Sequence, residues 1–233
     1  MSAPSLHPPW EPRALLDHGH GVLRAVTIPE SAPPPAVLAQ LTPEERAFAA
    51  GLSPFRLRTW VAGRLALAAA LAELGAPRAA LLATLRDAPM LPPGFVGSVS
   101  HKKHLAVALA APDEGAHLGV DVEDAAPLKH DISRKILTAA ELRIVDPLPP
   151  EARWRAVLAR FSIKESMYKA VDPFVQRYVG FLEAEVSLGP PAQARFDLVR
   201  GEGPFAVEAS WTELTGLILS TARVRQEARR VNA

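Results

Sequence analysis

Two carboxylates stand two residues apart in the segment Gly119-Val120-Asp121-Val122-Glu123. The segment is short and rich in valine, which predicts a strand, and side chains two apart on a strand share a face. Asp121 and Glu123 are therefore expected to point the same way. Adjacent carboxylates repel each other unless a cation lies between them, and hard oxygen ligands of this kind suit Mg²⁺. The alternative is a strand face in water, with both carboxylates solvated.

A second group of chemically active residues lies on a helix that is predicted to follow Pro150. Its apolar stripe comprises Trp154, Val157, Leu158, Phe161 and Tyr168. Glu165 occupies a position within this stripe, and a carboxylate that faces a core needs a paired cation, a metal ion or a function. Lys169 lies one turn further along the helix, and Lys164 flanks the same position.

Two structural alternatives account for Glu165 without any ligand. Ser162 and Glu165 have the spacing of a capping box, which requires a helix break at Phe161. Glu165 and Lys169 can also form an exposed ion pair between residues i and i+4, worth about 0.3–0.5 kcal/mol.

A third group combines small polar residues with arginines. Gly97-Ser98-Val99-Ser100-His101 is interpreted as a turn before a buried strand, where backbone N–H groups, hydroxyls and an imidazole can bind phosphate oxygens. Arg56 and Arg64 lie on one predicted helix further upstream, and their guanidinium groups can also bind phosphate. The alternative is that both arginines are ordinary solvated helix residues.

The surrounding elements indicate two α+β lobes. Helix starts are predicted at Thr42-Pro43, at Ser53-Pro54 and at Thr138, whose Glu141 completes a capping box as Glu45 does for Thr42. Short apolar runs predict strands at 104–109 and 118–123, and alternating residues between 184 and 224 predict antiparallel strands. We therefore expect an N-terminal lobe at 1–115 and a C-terminal lobe at 116–233, each with a sheet packed on helices.

Composition excludes several classes of protein. The 233 residues include 26 Lys and Arg against 25 Asp and Glu, so no broad basic field is available for duplex nucleic acid. With no cysteine, there is no disulfide scaffold, thiolate metal site or cysteine nucleophile. The longest apolar run, 65–72, is far shorter than the roughly 20 residues that span a bilayer, and residues 1–10 lack the pattern of a signal peptide. These features predict a cytoplasmic protein.

The three groups together resemble the 4′-phosphopantetheinyl transferase superfamily of the Sfp and enterobactin-synthetase-component type. In that family a Gly-Ser-x-Ser/Thr-His segment precedes Gly-[Val/Ile]-Asp-x-Glu and then Phe-[Ser/Cys]-x-Lys-Glu-[Ser/Ala]-x-Tyr-Lys. These patterns stand here at 97–101, 119–123 and 161–169. The resemblance covers roughly residues 50 to 190. It also includes Arg56 with Gly63-Arg64, Pro89 with Pro92, and Val179-Gly180-Phe181.

The resemblance implies a fold, a reaction and residue roles. Two similar α/β lobes would be related by a pseudo-two-fold axis, and coenzyme A would bind between them. A serine of an apo acyl or peptidyl carrier protein would attack the β-phosphorus, and 3′,5′-ADP would leave. Asp121, Glu123 and Glu165 would bind Mg²⁺, and Glu165 and Lys169 would be catalytic. The groups that would contact the phosphates are Arg56, Arg64, Ser100, His101, Lys164 and Lys169.

One position departs from the family pattern, and the partner surface is a separate expectation. Asp87 stands where related chains often carry a basic residue, with Arg86 as a candidate substitute. Arg134, Lys135 and Arg143 are candidates for a basic rim that would contact an acidic carrier protein, or they are ordinary solvated residues. The protein is expected to be a monomer. The carrier can belong to a fatty-acid, polyketide or peptide synthase.

Two other functions use the same residues. A Mg²⁺-dependent hydrolase of nucleotide pyrophosphates would employ the carboxylates with water as nucleophile. A non-catalytic coenzyme A-binding protein would need only the phosphate contacts, although Glu165 and Lys169 together with Asp121 and Glu123 argue against it.

Overall fold

Each half of the chain forms its own α+β unit in the structure, a computed structural model that describes residues 8–16, 19–127, 129–189, 191–214 and 216–228. Contacts divide the chain into Met1–Asp113 and Glu114–Ala233. The sequence interpretation put the boundary after residue 115. Among the described residues, no helix has the length and apolar character needed to cross a membrane.

The first unit packs a long helix on an antiparallel sheet. Its elements are β1 (Arg13–Ala14), β2 (Val22–Thr27), α1 (Pro35–Leu38), α2 (Pro43–Ala49), α3 (Pro54–Glu73), β3 (Phe95–His101) and β4 (Leu105–Pro112). The strand order is β1-β2-β4-β3, and every pairing is antiparallel. The core lies between α3 and the sheet, where Val61, Leu67 and Ala108 are fully buried. The predicted helix start at Pro54 and the predicted strand at 104–109 are confirmed.

The second unit has the same kind of architecture. Its elements are β5 (Ala116–Asp124), α4 (Ser133–Ile136), α5 (Ala139–Val145), α6 (Pro150–Val175), a 3₁₀ turn (Phe181–Glu183), β6 (Ala184–Ser187), β7 (Gln193–Phe196), β8 (Phe205–Leu214) and β9 (Leu217–Gln226). One sheet has the order β5-β9-β8, and β6 pairs with β7. α6 packs on β5 and β9. The antiparallel strands predicted between 184 and 224 are confirmed.

The two units repeat one order of elements. In each, a strand leads to a short helix, a capped seven-residue helix, a long helix that begins at proline, and a hairpin whose last strand pairs with the first strand. The same number of residues separates Thr42 from Pro54 and Thr138 from Pro150. The prediction of two similar α+β lobes is therefore confirmed, whereas the pseudo-two-fold relation between them stays a prediction.

Both predicted capping boxes are present, and each glutamate also bonds a distant segment. Glu45 accepts the N–H of Thr42 at 2.8 Å and that of Leu81 at 2.9 Å, and it pairs with Arg78 at 2.6 Å. Burial alone would raise the pKa of Glu45, but hydrogen bonds from Arg78 and the backbone outweigh it, so the pKa lies below its ordinary value. Glu45 thus fixes the segment that leads towards β3.

In the second unit, Glu141 likewise bonds both the start of its own helix and a distant segment. Its carboxylate accepts the N–H of Thr138 at 2.7 Å and that of Val186 at 2.8 Å, and it pairs with Lys164 at 2.7 Å. Glu45 and Glu141 are almost fully buried. The capping spacing was readable in the sequence, but the second backbone partner and the cation come from distant parts of the chain.

The strand β5 and the helix α6 approach each other closely at Gly119. A Cβ atom there would lie 1.7 Å from the carbonyl oxygen of Ser166, which is far inside van der Waals contact with backbone that cannot swing away. Only glycine allows strand and helix to meet this closely. The approach brings the carboxylates of β5 next to α6, the helix that carries the motif at 161–169.

Gly119→Ala is expected to destabilise the protein by about 3 kcal/mol or more, because the methyl group forces β5 and α6 apart. Urea unfolding of the wild-type protein and of Gly119→Ala measures the difference in the free energy of unfolding. Gly51→Ala is the matched control, since the nearest atom to its added Cβ is the carbonyl oxygen of Phe48 at 3.7 Å. Equal stability of Gly119→Ala and Gly51→Ala would contradict the packing described here.

Candidate functional site

β5 and α6 bring the first two predicted groups together in the second unit. Side chains alternate along a strand, and Gly119 faces Ser166 of α6, so Asp121 and Glu123 face the same helix. Asp121 is 5% exposed and Glu123 is half-buried. The prediction that these two carboxylates share a face agrees with this arrangement, and the alternative of a fully solvated strand face does not.

Both oxygens of Asp121 have partners on α6. Ser162 donates from Oγ to Asp121 Oδ2 at 2.9 Å. Lys169 donates from Nζ to Asp121 Oδ1 at 3.0 Å and to the carbonyl oxygen of Val120 at 2.8 Å. The carboxylate is therefore held between a hydroxyl and an ammonium group.

Ser220 of β9 extends this network. It pairs with Asp121 across the sheet, and its Oγ lies 2.8 Å from Ser162 Oγ. Because the single proton of Ser162 is given to Asp121, Ser220 donates to Ser162. Sequence reasoning missed both serines as members of this network. Ser162 had a signal, since it lies one turn before Glu165 in the motif, whereas Ser220 is placed only by the strand register.

Glu165 lies half-buried on α6 between Ser162 and Lys169. The helix is continuous from Pro150 to Val175, so the alternative that Ser162 and Glu165 cap a new helix is wrong. The hydroxyl of Ser162 bonds Asp121 instead. Glu165 therefore stays in the interior of a long helix, one turn from each of the two residues that bond Asp121.

The donor types at this place suit a divalent cation, but they are not gathered into one cluster. Among the described residues, no three His, Asp or Glu side chains lie close enough together to hold a metal ion. Asp121 and Glu123 nevertheless offer hard oxygens on the face turned to the helix that carries Glu165. Asp121 already bonds one cation, the ammonium of Lys169. The residue types thus suit Mg²⁺, and Lys169 donates to one oxygen of Asp121.

Lys164 lies in a different place from the one expected of a phosphate ligand. Its side chain is fully buried, and Nζ donates to Glu141 at 2.7 Å and to the carbonyl oxygens of Ile136 at 2.7 Å and Phe181 at 3.0 Å. Burial lowers the pKa of Lys164, and the hydrogen bond to Glu141 partly offsets this. All three ammonium protons are used inside the protein, so this position gives no support to a contact with coenzyme A.

Tyr168 attaches the segment after α6 to the motif helix. Its hydroxyl donates to the carbonyl oxygen of Gly180 at 3.0 Å, and its ring meets Phe181 edge-on at 5.2 Å. Burial, with a further contribution from Glu165, raises the pKa of Tyr168, which keeps the phenol neutral and able to donate. The Val179-Gly180-Phe181 segment is thereby fixed against α6 at Tyr168.

An ionic cluster reinforces the same segment. Arg177 pairs with Glu183 at 2.7 Å and with Glu202 at 2.6 Å, and Glu183 also accepts the N–H groups of Gly180 and Val199. Hydrogen bonds from Arg177 lower the pKa of Glu183 and that of Glu202 to about 2 each. The cluster connects the end of α6, the 3₁₀ turn and the loop before β8.

Glu183→Gln is expected to lower Tm at pH 7 by about 2–4 °C, because Arg177 loses a carboxylate partner. The pKa of Glu183 is depressed from 4.5 to about 2, so its contribution is present above the ordinary pKa and is lost as pH falls through about 2. The Tm difference from wild type should therefore shrink between pH 4.5 and pH 2, as thermal melts at several pH values would show. Glu30→Gln, at an exposed loop position, is the control. A difference that stays constant down to pH 2 would contradict the ionic role.

The first unit places its predicted phosphate ligands at unequal depths. Arg56 is exposed near the start of α3, whereas Arg64 is 7% exposed, with its guanidinium 4.8 Å from the ring centre of Trp60. Burial lowers the pKa of Arg64 to about 10, and Glu45 acts against this shift. Arg64 Nε is buried without a hydrogen-bond partner among the described residues. The alternative of an ordinary solvated residue holds for Arg56 only.

The interpretation of Gly97–His101 as a turn is wrong. These residues belong to β3 and pair with β4, with Gly97 opposite Ala110 and His101 opposite Ala106. A Cβ at Gly97 would lie 2.8 Å from the carbonyl oxygen of Leu109, so close strand contact, rather than a turn, requires the glycine. Ser100 is buried and His101 is exposed at the end of the strand.

The departure at Asp87 lies in a tight turn. Asp87 donates its N–H to the carbonyl oxygen of Thr84 at 3.1 Å and has φ of 61°, a left-handed conformation that aspartate tolerates better than most residues. Arg86 is exposed beside it. In the second unit, the proposed rim residues Arg134, Lys135 and Arg143 are exposed on α4 and α5.

Family models match both units of the chain. The model described as 4′-phosphopantetheinyl transferase N-terminal domain matches residues 44–111, and the model of the 4′-phosphopantetheinyl transferase superfamily matches residues 117–222. The two matches meet close to the division between the units.

Curated relatives extend this similarity over most of the chain. It is 33% identical over 199 residues to the 4′-phosphopantetheinyl transferase Svp of Streptomyces mobaraensis, covering 81% of this chain and 80% of that protein. It is 33% identical over 141 residues to Npt of Nocardia iowensis, covering 57% and 59% respectively. Among solved structures, the holo-(acyl-carrier-protein) synthase of Bacillus anthracis in complex with CoA (3′,5′-ADP) matches at a TM-score of 0.40 and 20% identity, over 47% of this chain and 96% of that one.

Proposed function

The chain belongs to the 4′-phosphopantetheinyl transferase superfamily, and we propose that it transfers the phosphopantetheine arm of coenzyme A to a serine of an apo carrier protein, releasing 3′,5′-ADP. The observation that carries this proposal is the 33% identity to a transferase over 81% of the chain. The contacts of Asp121 with Ser162 and Lys169 support it, because they join the two most specific motifs.

The reaction exchanges one P–O bond for another. The serine oxygen of the carrier attacks the β-phosphorus of coenzyme A, and the bond from that phosphorus to the oxygen of 3′,5′-ADP breaks. Phosphoryl transfer of this type depends mainly on positioning and on neutralising charge. Glu165 accepts the proton of the serine, directly or through water. Lys169, whose side chain is partly exposed, donates to a phosphate oxygen of the pyrophosphate.

Asp121, Glu123 and Glu165 are the proposed ligands of Mg²⁺. A bound ion would supply charge neutralisation for the pyrophosphate. Ser162 and Ser220 keep the Asp121 carboxylate in its orientation on β5. Lys164 is left out of the phosphate contacts and is assigned to the structural pair with Glu141.

The proposed contacts of the first unit are Arg56, Arg64, Ser100 and His101. Arg64 supports the assignment best, because its buried Nε has no hydrogen-bond partner among the described residues and an anion would supply one. The assignments of Arg56, Ser100 and His101 rest on the motif resemblance. We also propose a monomer that acts in the cytoplasm, with the carrier near Arg134, Lys135 and Arg143.

One assay separates this function from the two alternatives. The protein is incubated with coenzyme A, Mg²⁺ and an apo carrier protein, and the carrier is weighed by mass spectrometry. A mass gain of one phosphopantetheine supports the transferase. Free phosphopantetheine with unmodified carrier would point to a pyrophosphate hydrolase, and no turnover would point to a coenzyme A-binding protein. Carriers from fatty-acid, polyketide and peptide synthases tested side by side would identify the preferred class.

A further inference from the structure

Two buried arginines occupy the same position in the two repeated units. Arg64 is the tenth residue after Pro54, the first residue of α3, and Arg160 is the tenth after Pro150, the first residue of α6. Both arginines are almost fully buried, and neither Nε has a hydrogen-bond partner among the described residues. Burial lowers the pKa of both guanidinium groups, and in each unit the capping-box glutamate acts against this shift. Arg160 therefore serves as an internal comparison for Arg64.

The residue one helical turn before each arginine differs between the units. In the second unit it is Ala156, and Arg160 donates from Nη1 to the carbonyl oxygen of Ala156 at 3.1 Å. In the first unit it is Trp60, and Cζ of Arg64 lies over the indole, 4.8 Å from the ring centre. One arginine thus bonds the backbone of its own helix, whereas the other stacks on an aromatic ring.

Stacking on Trp60 orients the Arg64 guanidinium without using its hydrogen-bond donors. The five N–H groups of arginine lie in the plane of the guanidinium, whereas an aromatic ring contacts the face of that plane. The bond from Arg160 to its own helix, in contrast, occupies one N–H group. The two arginines are alike in burial and in position, so the difference in what their donors can do comes from the residue one turn earlier.

Trp60 is itself firmly placed in the core of the first unit. It is 8% exposed, and the ring of Phe48 on α2 lies 5.1 Å away from it, tilted by 34°. Its Nε1 is buried without a hydrogen-bond partner among the described residues. Phenylalanine would fill a core position without leaving a buried donor unpaired, but tryptophan attracts a cation more strongly than phenylalanine does. The contact with Arg64 therefore accounts for a tryptophan at this position.

We propose that Trp60 is a positioning residue for the phosphate contact of the first unit, since its indole face holds the Arg64 guanidinium with the N–H groups available to a phosphate oxygen of coenzyme A. Arg160, which follows an alanine at the equivalent place, is a structural residue of the second unit. The inference rests on the proposed function for the identity of the anion. Because Trp60 acts through Arg64, loss of the ring should weaken binding only while the arginine is present.

The test is a double-mutant cycle in which isothermal titration calorimetry measures the affinity for coenzyme A. Trp60→Met keeps an apolar side chain but removes the ring, and it is expected to weaken binding about ten-fold. Trp60→Phe retains a ring face and should weaken binding by no more than about three-fold. In an Arg64→Gln background, Trp60→Met should weaken binding by less than about two-fold. An equally large effect with and without Arg64 would overturn the proposal.

Trp154→Met is the matched control, because Trp154 also carries a stacked arginine, with Cζ of Arg155 4.6 Å from its ring centre. It should bind coenzyme A as wild type does, and a loss equal to that of Trp60→Met would overturn the proposal. If Trp60→Met does not fold, Arg64→Lys decides, since lysine keeps the charge but has no plane to stack on the indole. Wild-type affinity in Arg64→Lys would overturn the proposal. Coenzyme A binding without mass gain by the carrier would contradict the proposed function alone, because the cycle measures binding and not transfer.

Discussion

Glu165→Gln is expected to lower the rate of phosphopantetheine transfer by about 10³-fold while leaving the fold intact. The amide keeps the size of the side chain but can neither accept the proton of the carrier serine nor offer a charged oxygen to Mg²⁺, and general base catalysis alone is worth about 10²–10⁴-fold. Glu165 is half-buried on α6, one turn from each of the two residues that bond Asp121, so we expect its loss to affect the proposed reaction site.

The measurement is the time course of carrier mass gain at saturating coenzyme A, with circular dichroism to verify the fold. Glu151→Gln is the matched control on the same helix, because Glu151 is an exposed carboxylate that pairs with its helical neighbours Trp154 and Arg155. It should retain wild-type activity. A rate within ten-fold of wild type for Glu165→Gln would remove this residue from the proposed mechanism.

Lys164→Met is expected to destabilise the protein by about 3–5 kcal/mol, because it leaves Glu141 as an uncompensated buried carboxylate. The pair lies wholly inside the second unit, with 0% of the Lys164 side chain and 2% of the Glu141 side chain exposed. The carbonyl oxygens of Ile136 and Phe181 lose their donor in the same step. Urea unfolding monitored by intrinsic fluorescence gives the free energy of unfolding of each protein.

The double variant Lys164→Met with Glu141→Gln separates the ion pair from the packing. Removing both charges should recover part of the loss, since no unpaired charge remains. The recovery is incomplete because Thr138 and Val186 donate to different oxygens of Glu141, whereas an amide has one oxygen and turns its NH₂ group towards one of these N–H donors. Lys129→Met, at an exposed position, should leave stability unchanged.

The single variant Lys164→Met also distinguishes the two roles considered for Lys164, a contact with a phosphate of coenzyme A and a structural pair with Glu141. A contact with a phosphate would show as a raised KM for coenzyme A with unchanged stability. The structural pair predicts the reverse, with lost stability and a KM near wild type for the protein that remains folded. A stable Lys164→Met variant with weakened coenzyme A binding would restore the sequence-based assignment.

Local signals in the sequence carried the prediction of the elements. Thr42 with Glu45 and Thr138 with Glu141 specify helix starts through contacts within one turn, and Pro54 and Pro150 suit the first helical position because they need no N–H partner. The spacing of Asp121 and Glu123 likewise sets a shared strand face, since alternation is a property of any strand. These features depend on residues that are close in the sequence, so they do not require knowledge of how the rest of the chain folds.

Gly97 shows where a local interpretation fails. A glycine next to a serine is typical of a turn, but here the glycine is required because the carbonyl oxygen of Leu109 passes 2.8 Å from the place of a Cβ. That constraint comes from the pairing of β3 with β4, and the residues next to Gly97 in the sequence do not indicate this pairing. Gly119 is likewise required by a close contact with distant backbone, in this case the carbonyl oxygen of Ser166 on α6.

The sequence by itself indicated which residues are candidates for the chemistry, because the motifs combine residue types with fixed local spacing. Only the tertiary structure decided what each motif lysine does. Lys164 and Lys169 are five positions apart on a helix that turns by about 100° per residue, so they leave the helix in different directions. α5 and the 3₁₀ turn bury one beside Glu141, and β5 presents Asp121 to the other. Partners from distant segments therefore make one lysine a buried support and the other the partly exposed ion-pair partner of Asp121.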